Sequence, residues 1–228
     1  MRIELHWCTM RIGVIIPDRG DRPKLLENCL RMMKNQTLQP AIISIVNFKP
    51  ISDACDITAR YRHGYEKLKG RNLDMIAFIE NDDWYSPDYL RIMADKWADH
   101  YFPDLLGLNH TIYYHIGRFE HFTMHHITRS SAMNTVIKPD LNFDWGQDNN
   151  PYADVWLWNL LKGVIIIPEK EICLGIKHGI GLCGGQNHTD KMDRYINKDH
   201  NKEFLKSILD TESFEFYSEL HKKTSVFS

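Results

Sequence analysis

The sequence lacks any apolar run close to the ~18 residues that a membrane-spanning helix needs. Its first ten residues are polar and include Glu4 and His6, unlike the apolar core of a secretory signal peptide. These two absences lead us to expect a cytoplasmic protein without a transmembrane segment.

Cysteine pairs with the spacing of a metal or redox motif are also absent. The five cysteines are an odd number, are widely spaced and form no CxxC motif. Such a set argues against a disulfide framework and against a zinc knuckle. We therefore expect free thiols in a reducing compartment.

No strong charge of one sign is present. The formal net charge of -2 provides no global basic field that would attract nucleic acid, although a local basic patch remains compatible with it. The 228 residues suit one α/β domain, and we predict a single domain over residues 1–228.

The first hundred residues alternate between short apolar runs and amphipathic segments. Predicted strands cover 11–17, 41–48 and 74–79, and predicted helices begin at Pro23, within 53–69 and around Pro87, with Ser86 as N-cap. This alternation predicts an α/β fold with an open, mostly parallel sheet flanked by helices.

The second half of the chain has a different pattern. Residues 105–137 are rich in histidine and aromatic residues, which favours a small antiparallel element. The remaining segments are a polar loop at 140–152, a helix at 153–162, a strand at 164–167, a glycine-rich loop at 179–185 and helices at 202–209 and 213–222.

An acidic cluster follows the third predicted strand. Glu80, Asp82 and Asp83 lie within four positions, so their charges repel unless they are solvated or share a cation. Ligands bind at the carboxyl ends of strands in open α/β sheets, and oxygen ligands suit Mg²⁺ or Mn²⁺. The cluster is therefore compatible with a divalent-cation site and equally with a solvated acidic turn that caps the next helix.

Several stretches resemble, in order and spacing, the inverting family-two glycosyltransferases with a GT-A fold. They are Gly13–Pro17, Arg22–Leu30, Asn35–Thr37, Thr58–Gly64 and Ile76–Leu90. The resemblance implies a Rossmann-like GT-A sheet, a nucleotide-diphosphate sugar donor, a Mn²⁺ or Mg²⁺ cofactor and hexosyl or pentosyl transfer. It also implies a donor-binding half at 11–100, an acceptor and catalytic half at 101–200, and C-terminal helices at 201–228.

The resemblance implies a set of donor-site residues. Asp82 is expected to be a direct metal ligand, and Glu80 is expected to contact the ribose or the metal. The other expected donor-binding residues are Pro17, Arg19, Arg22, Asn47, Arg60 and Asn81. The family's second strand usually ends in Asp-Asp-Gly-Ser, which is missing here. Asn47 is therefore the candidate for contacting the base, and a UDP-sugar is favoured without being fixed.

Arg60 and Arg62 lie only two residues apart on one predicted helix, so they cannot both face the site. We expect Arg60 to be the one that helps to neutralise the diphosphate.

Asp154 is the candidate general base. It stands at the start of a predicted helix where the family has Glu-Asp before Leu-Trp, although Ala153 replaces the first acid. The helix N-terminus favours the ionised form of Asp154. A simple capping role is the alternative, and Asp144 and Asp148 are competing acids.

His178 is the candidate for a late metal ligand. The resemblance implies a histidine near this point that completes the metal shell or touches the diphosphate, and neutral imidazole suits Mn²⁺. His188 is its rival. The loop from Gly179 to Gly185 could order over the donor.

Three other functions stay open. A transferase acting on a modified base in viral DNA is suggested by basic and aromatic residues at 60–71 and 113–129. The sequence does not identify the acceptor, and a glycan and modified DNA are the two candidates. A nucleotidyltransferase shares a similar sheet, but Gly20-Asp21-Arg22 matches its phosphate loop poorly. A sugar-binding relative without catalysis would fit the replacement at Ala153.

Overall fold

The structure is a computed structural model that describes residues 10–50, 54–179 and 191–224. The helices are α1 Pro23–Lys34, α2 Ile57–Leu68, α3 Tyr89–Asp99, α4 Ala153–Leu160, α5 Glu203–Ile208 and α6 Thr211–Thr224. The strands are β1 Ile12–Pro17, β2 Ile42–Val46, β3 Met75–Phe78, β4 Trp84–Tyr85, β5 Leu105–Leu108, β6 His110–His115, β7 Glu120–His125, β8 Thr135–Ile137, β9 Gly163–Ile166, β10 Cys173–Lys177 and β11 Asn197–Lys198.

Six strands form the main sheet, in the order β2-β1-β3-β8-β5-β9. β1 is parallel to both β2 and β3, and β5 is parallel to β9. β8 alone is antiparallel to its neighbours β3 and β5. The predicted α/β fold with a mostly parallel sheet is therefore confirmed.

Both faces of the main sheet are covered, which explains why β1 and β3 read as continuous apolar runs. Side chains alternate between the faces of a strand, so Val14 packs with Met93 and Trp97 on one side. Ile15 packs with Tyr65 of α2 on the other side. The two hydrophobic clusters fix the carboxyl ends of β1 and β3 at one edge of the sheet.

A second sheet has the order β11-β7-β6-β10-β4. β6 and β7 form an antiparallel hairpin, which confirms the antiparallel element predicted within 105–137, whereas β5 joins the main sheet. β10 runs parallel to β6 and antiparallel to β4. This pairing brings the end of β10 beside the acidic turn that precedes β4.

The third helix begins later than the sequence suggests. Asp88 is the N-cap of α3 and makes no side-chain capping bond, so the predicted cap at Ser86 is wrong. The physical reason is the pairing of β4 with β10: the N–H of Ser86 donates to the carbonyl of Ile172, which keeps the chain extended to that point. The Oγ of Ser86 instead accepts the N–H of Asp88 at 3.3 Å.

The remaining helices agree with the predicted segments to within a few residues. Within residues 10–50, 54–179 and 191–224, no helix is long and apolar enough to cross a bilayer. Cys29 and Cys173 are buried free thiols.

Candidate active site

A cavity of about 430 Å³ opens at the carboxyl ends of β1 and β3, between α2, α4 and the hairpin β6–β7. Eight of the ten predicted site residues line it. They are Pro17, Arg19, Arg22, Arg60, Glu80, Asn81, Asp82 and Asp154. Residues up to 137 positions apart in the sequence therefore meet at this edge of the sheet. This edge is where ligands bind in open α/β sheets.

The other two predicted residues lie outside the lining of the cavity. Asn47 follows β2 and is exposed to solvent. His178 is 3% exposed, and its Nε2 lies 3.2 Å from Oδ2 of Asp82. His178 does not itself line the cavity, but it contacts Asp82, which does. Its rival His188 and most of the predicted glycine-rich loop lie outside the described residues.

The acidic cluster is compact. Glu80, Asp82 and Asp83 each place a carboxylate oxygen within 4.8 Å of the others. Asp83 is fully buried; its Oδ1 accepts the N–H of Ile176 at 2.8 Å, and its Oδ2 is buried without a hydrogen-bond partner among the described atoms. A set of carboxylate oxygens with an unsatisfied member fits a hard divalent cation such as Mg²⁺ or Mn²⁺.

Two basic side chains contact this cluster. Nη1 of Arg22 lies 2.6 Å from Oδ2 of Asp82, and Nζ of Lys177 lies 3.9 Å from Oδ1 of Asp83. Both side chains also line the cavity. The cluster is therefore partly neutralised by the protein itself.

Protonation in the cluster differs from residue to residue. Burial raises the pKa of Glu80 to about 7 and holds the pKa of Asp83 well above its usual range. Burial would also raise the pKa of Asp82. The hydrogen bond with His178 and the charges of Arg22 and Lys177 together hold it below its usual value instead. Asp82 is therefore the most acidic of the three carboxyl groups.

The guanidinium of Arg60 is bound within the protein, whereas the sequence predicts that it faces a diphosphate. Its side chain is 1% exposed, with Nε and Nη2 bonded to the carboxylate of Asp56. The remaining N–H groups donate to the carbonyls of Asp18, Val46 and Phe48. A guanidinium has five N–H donors, and all five are used. No N–H group of Arg60 is therefore left to donate to a diphosphate, although its side chain lines the cavity. Its predicted part in neutralising the diphosphate by charge alone stays a prediction.

The network around Arg60 fixes the polar end of the sheet. Nη1 of Arg19 lies 3.1 Å from Oδ1 of Asp56, and Nδ2 of Asn81 donates to Oδ1 of Asp18 at 3.0 Å. Because Asp18 follows β1 and Asn81 follows β3, these bonds hold the two strand ends in register beside the cavity.

Asp154 lines the cavity from the first turn of α4. The N-cap is Tyr152, so Asp154 does not take the capping position. Its Oδ2 lies 2.6 Å from Nη1 of Arg129. Burial raises the pKa of Asp154, while Arg129 and backbone N–H groups partly oppose the rise.

The competing acids lie away from the cavity. Asp148 pairs with Arg62 at the surface, with the two side chains 45% and 44% exposed. Oδ1 of Asp144 accepts the N–H of Gly146. Neither acid lines the cavity.

Six residues of the cavity wall were not among the predicted donor-site and catalytic residues, although three of them lie within the basic and aromatic stretches 60–71 and 113–129. They are Tyr61, Tyr113, Arg129, Lys177, Lys191 and Arg194. The OH of Tyr61 donates to Oε1 of Glu80 at 3.4 Å, and Nζ of Lys177 lies 5.1 Å from the ring centroid of Tyr113. One signal was available for Lys177: a lysine that ends a fully apolar strand directly before the candidate His178.

No protein-family model matches the chain, and no curated protein is significantly similar to it. Among solved structures, the chain is similar to Staphylococcus aureus TarS in complex with UDP-GlcNAc, with a TM-score of 0.49, 10% identity, and coverage of 75% of this chain and 60% of that chain. A TarS complex with UDP gives a TM-score of 0.45 and 13% identity over 73% of this chain and 60% of that chain.

A further TarS structure gives a TM-score of 0.46 and 14% identity over 73% of this chain and 37% of that chain. The chain thus spans 60% or less of the length of these TarS structures.

Proposed function

We propose that the protein is a glycosyltransferase that moves a sugar from a nucleotide-diphosphate sugar to a hydroxyl acceptor, with inversion at the anomeric carbon. One observation carries the proposal: a single cavity is lined by Glu80 and Asp82 of the acidic cluster and by the separate carboxylate of Asp154. The acidic cluster suits a divalent cation that would bind the donor diphosphate. The carboxylate of Asp154 suits the task of accepting a proton from the acceptor hydroxyl.

The donor is proposed to lie along the carboxyl ends of β1 and β3, with its diphosphate beside Asp82 and Arg22. A bound Mn²⁺ or Mg²⁺, held by Asp82 and Glu80, would supply positive charge to the departing diphosphate. Nε2 of His178 is close enough to Asp82 to orient that carboxylate, and its direct coordination of a cation stays a prediction. A UDP-sugar is the proposed donor, as the sequence resemblance implies.

Asp154 is proposed to accept the proton of the acceptor hydroxyl as that oxygen attacks the sugar. Burial makes the carboxylate a stronger base, and the contact with Arg129 keeps it ionised and oriented. A base in this position supports a catalytic protein over a sugar-binding relative that has lost its activity.

The test is Asp154→Asn, with Asp148→Asn as the matched control on the surface. The donor should bind Asp154→Asn within about twofold of the wild type, while sugar transfer falls by roughly 10²-fold or more. Asp148→Asn should retain both properties. Nucleotide sugars with uridine, guanosine and cytidine bases are screened first by melting temperature, and transfer or slow hydrolysis is then measured with the best donor. Transfer by Asp154→Asn at the wild-type rate would contradict the assignment of the base.

A modified base in DNA is a second candidate acceptor, and the side of the cavity near Asp154 favours it. Arg129 pairs with Asp154, and the basic side chains of Lys191 and Arg194 also line the cavity, as does Tyr152, which is 62% exposed. Basic groups suit phosphates, and an exposed aromatic ring can stack on a base. Binding to a hydroxymethylated duplex should weaken steeply as NaCl rises. Absence of salt-dependent binding would remove this candidate.

A further inference from the structure

Lys177 lines the cavity and takes no part in any of the roles proposed above. We propose that Lys177 is a built-in counter-ion of the acidic cluster and carries part of the positive charge that faces the donor diphosphate. Nucleotide binding should then depend on a divalent cation only in part. The inference rests on the proposed function, because it concerns the same donor site.

The position of Lys177 is fixed by the second sheet. It is the last residue of β10, whose five residues are all buried, and it pairs in register with His115 of β6. Its side chain is only 5% exposed, yet it lines the cavity. A lysine on a buried strand is costly unless it is paired, so its location requires a charge partner. The neighbouring ring of Tyr113 adds a favourable cation–π contact.

Lys177 reduces the negative charge of the acidic cluster. Glu80, Asp82 and Asp83 contribute at most three negative charges within one compact group. Lys177 and Arg22 bring two positive charges to the same group. At most one negative charge remains, so the cluster attracts a divalent cation less strongly than three bare carboxylates would. An incoming diphosphate, by contrast, meets two positive side chains already in place.

A purely structural role is the alternative, in which Lys177 only compensates the buried Asp83. The two roles predict different results. A structural lysine affects stability alone, and replacing it leaves the cation requirement of nucleotide binding unchanged. A counter-ion for the donor site controls that requirement, because its removal leaves the cluster with more negative charge.

The experiment measures binding of UDP and of Mn²⁺ alone by calorimetry. It compares wild type, Lys177→Gln, Lys177→Arg and the exposed control Lys162→Gln. Wild type should bind UDP in EDTA, within about tenfold of its affinity in Mn²⁺. Lys177→Gln should bind UDP in EDTA roughly 10²-fold more weakly than wild type, yet bind Mn²⁺ alone roughly tenfold more tightly. Lys177→Arg and Lys162→Gln should resemble the wild type, because both retain the positive charge at position 177.

Two results would overturn the inference: complete loss of UDP binding by the wild type in EDTA, or unchanged Mn²⁺ affinity in a folded Lys177→Gln variant. If Lys177→Gln does not fold, Asp83→Asn/Lys177→Gln is compared with Asp83→Asn, from which it differs only in the charge at position 177. The double variant should bind UDP in EDTA more weakly than Asp83→Asn and bind Mn²⁺ alone more tightly. The Mn²⁺ measurement needs no nucleotide. Failure of the wild type to bind UDP under any condition therefore counts against the proposed donor, while the Mn²⁺ affinities still decide the role of Lys177.

Discussion

Replacing Arg60 by Met tests the network that shapes the polar edge of the main sheet. The change removes five hydrogen bonds, and within the described part of the chain it leaves Asp56, which is 12% exposed, with the ion pair to Arg19 at 3.1 Å as its remaining contact with a cation. Breaking a buried ion pair by removing one partner costs about 3–5 kcal/mol. Since Asp56 keeps one cation, we expect Arg60→Met to lower the free energy of unfolding by about 3 kcal/mol, within that range.

Arg62 is the control, because it lies on the same helix but forms its ion pair with Asp148 at the surface. An exposed pair contributes about 0–1 kcal/mol, so Arg62→Met should change stability by less than that. Urea unfolding at pH 7, monitored by circular dichroism, gives both values. Equal losses in the two variants would refute the assignment of Arg60 as the buried anchor of the network. Arg60→Lys should also be strongly destabilised, because an ammonium cannot replace a planar guanidinium with five donors.

Two further predictions concern packing and the base. Gly64→Ala should destabilise the protein by about 1–2 kcal/mol, because the new Cβ would lie 2.4 Å from Cγ2 of Ile15 and force α2 away from the sheet. The exposed Lys67→Ala variant is the control in the same unfolding measurement. Equal stability of the two variants would contradict the close approach of α2 to β1 at Gly64. Arg129→Met removes the positive charge that lowers the pKa of Asp154, so that pKa rises and the increase of kcat/KM with pH should move to higher pH. Arg118→Met, which disrupts a pair with Glu120 away from the cavity, should leave the profile in place, and an unshifted profile in Arg129→Met would argue against Asp154 as the titrating base.

Local patterns predicted the elements around the donor side well. The apolar run at 11–17 and the helical spacing after Pro23 gave β1 and α1 nearly at their observed bounds, because periodicity and start signals are properties of neighbouring residues. The acidic turn after β3 was likewise predicted from neighbouring residues, as three acids that follow an apolar run. Its place at a sheet edge follows from the parallel arrangement of the strands.

The second sheet could not be predicted in this way. The pairing of Gly175 with Tyr113 joins segments 62 positions apart, and no local signal encodes it. Lys177 ends an apolar strand directly before His178, which was a local signal, but a lysine at the end of a strand is normally solvated. Only the partner strands show that Lys177 is enclosed. The displaced start of α3 has the same origin in the pairing of β4 with β10.

Arg60 illustrates a partial success. Helical spacing correctly turned it inward and Arg62 outward. Its five partners, however, include carbonyls from the ends of β1 and β2, and only the assembled structure shows that they occupy every N–H group.

The claim that a nucleotide donor binds at the acidic cluster together with a divalent cation is tested most directly by the stabilisation that UDP gives with and without Mn²⁺. This stabilisation is compared between wild type and Asp82→Asn, with Asp88→Asn as a surface control. A ligand at a hundred times its Kd raises the free energy of unfolding by about 2.7 kcal/mol. We expect Mn²⁺ to increase the stabilisation by UDP in the wild type and in Asp88→Asn, and to add nothing in Asp82→Asn. A Mn²⁺-dependent increase of the same size in Asp82→Asn would contradict the proposed donor site at the acidic cluster.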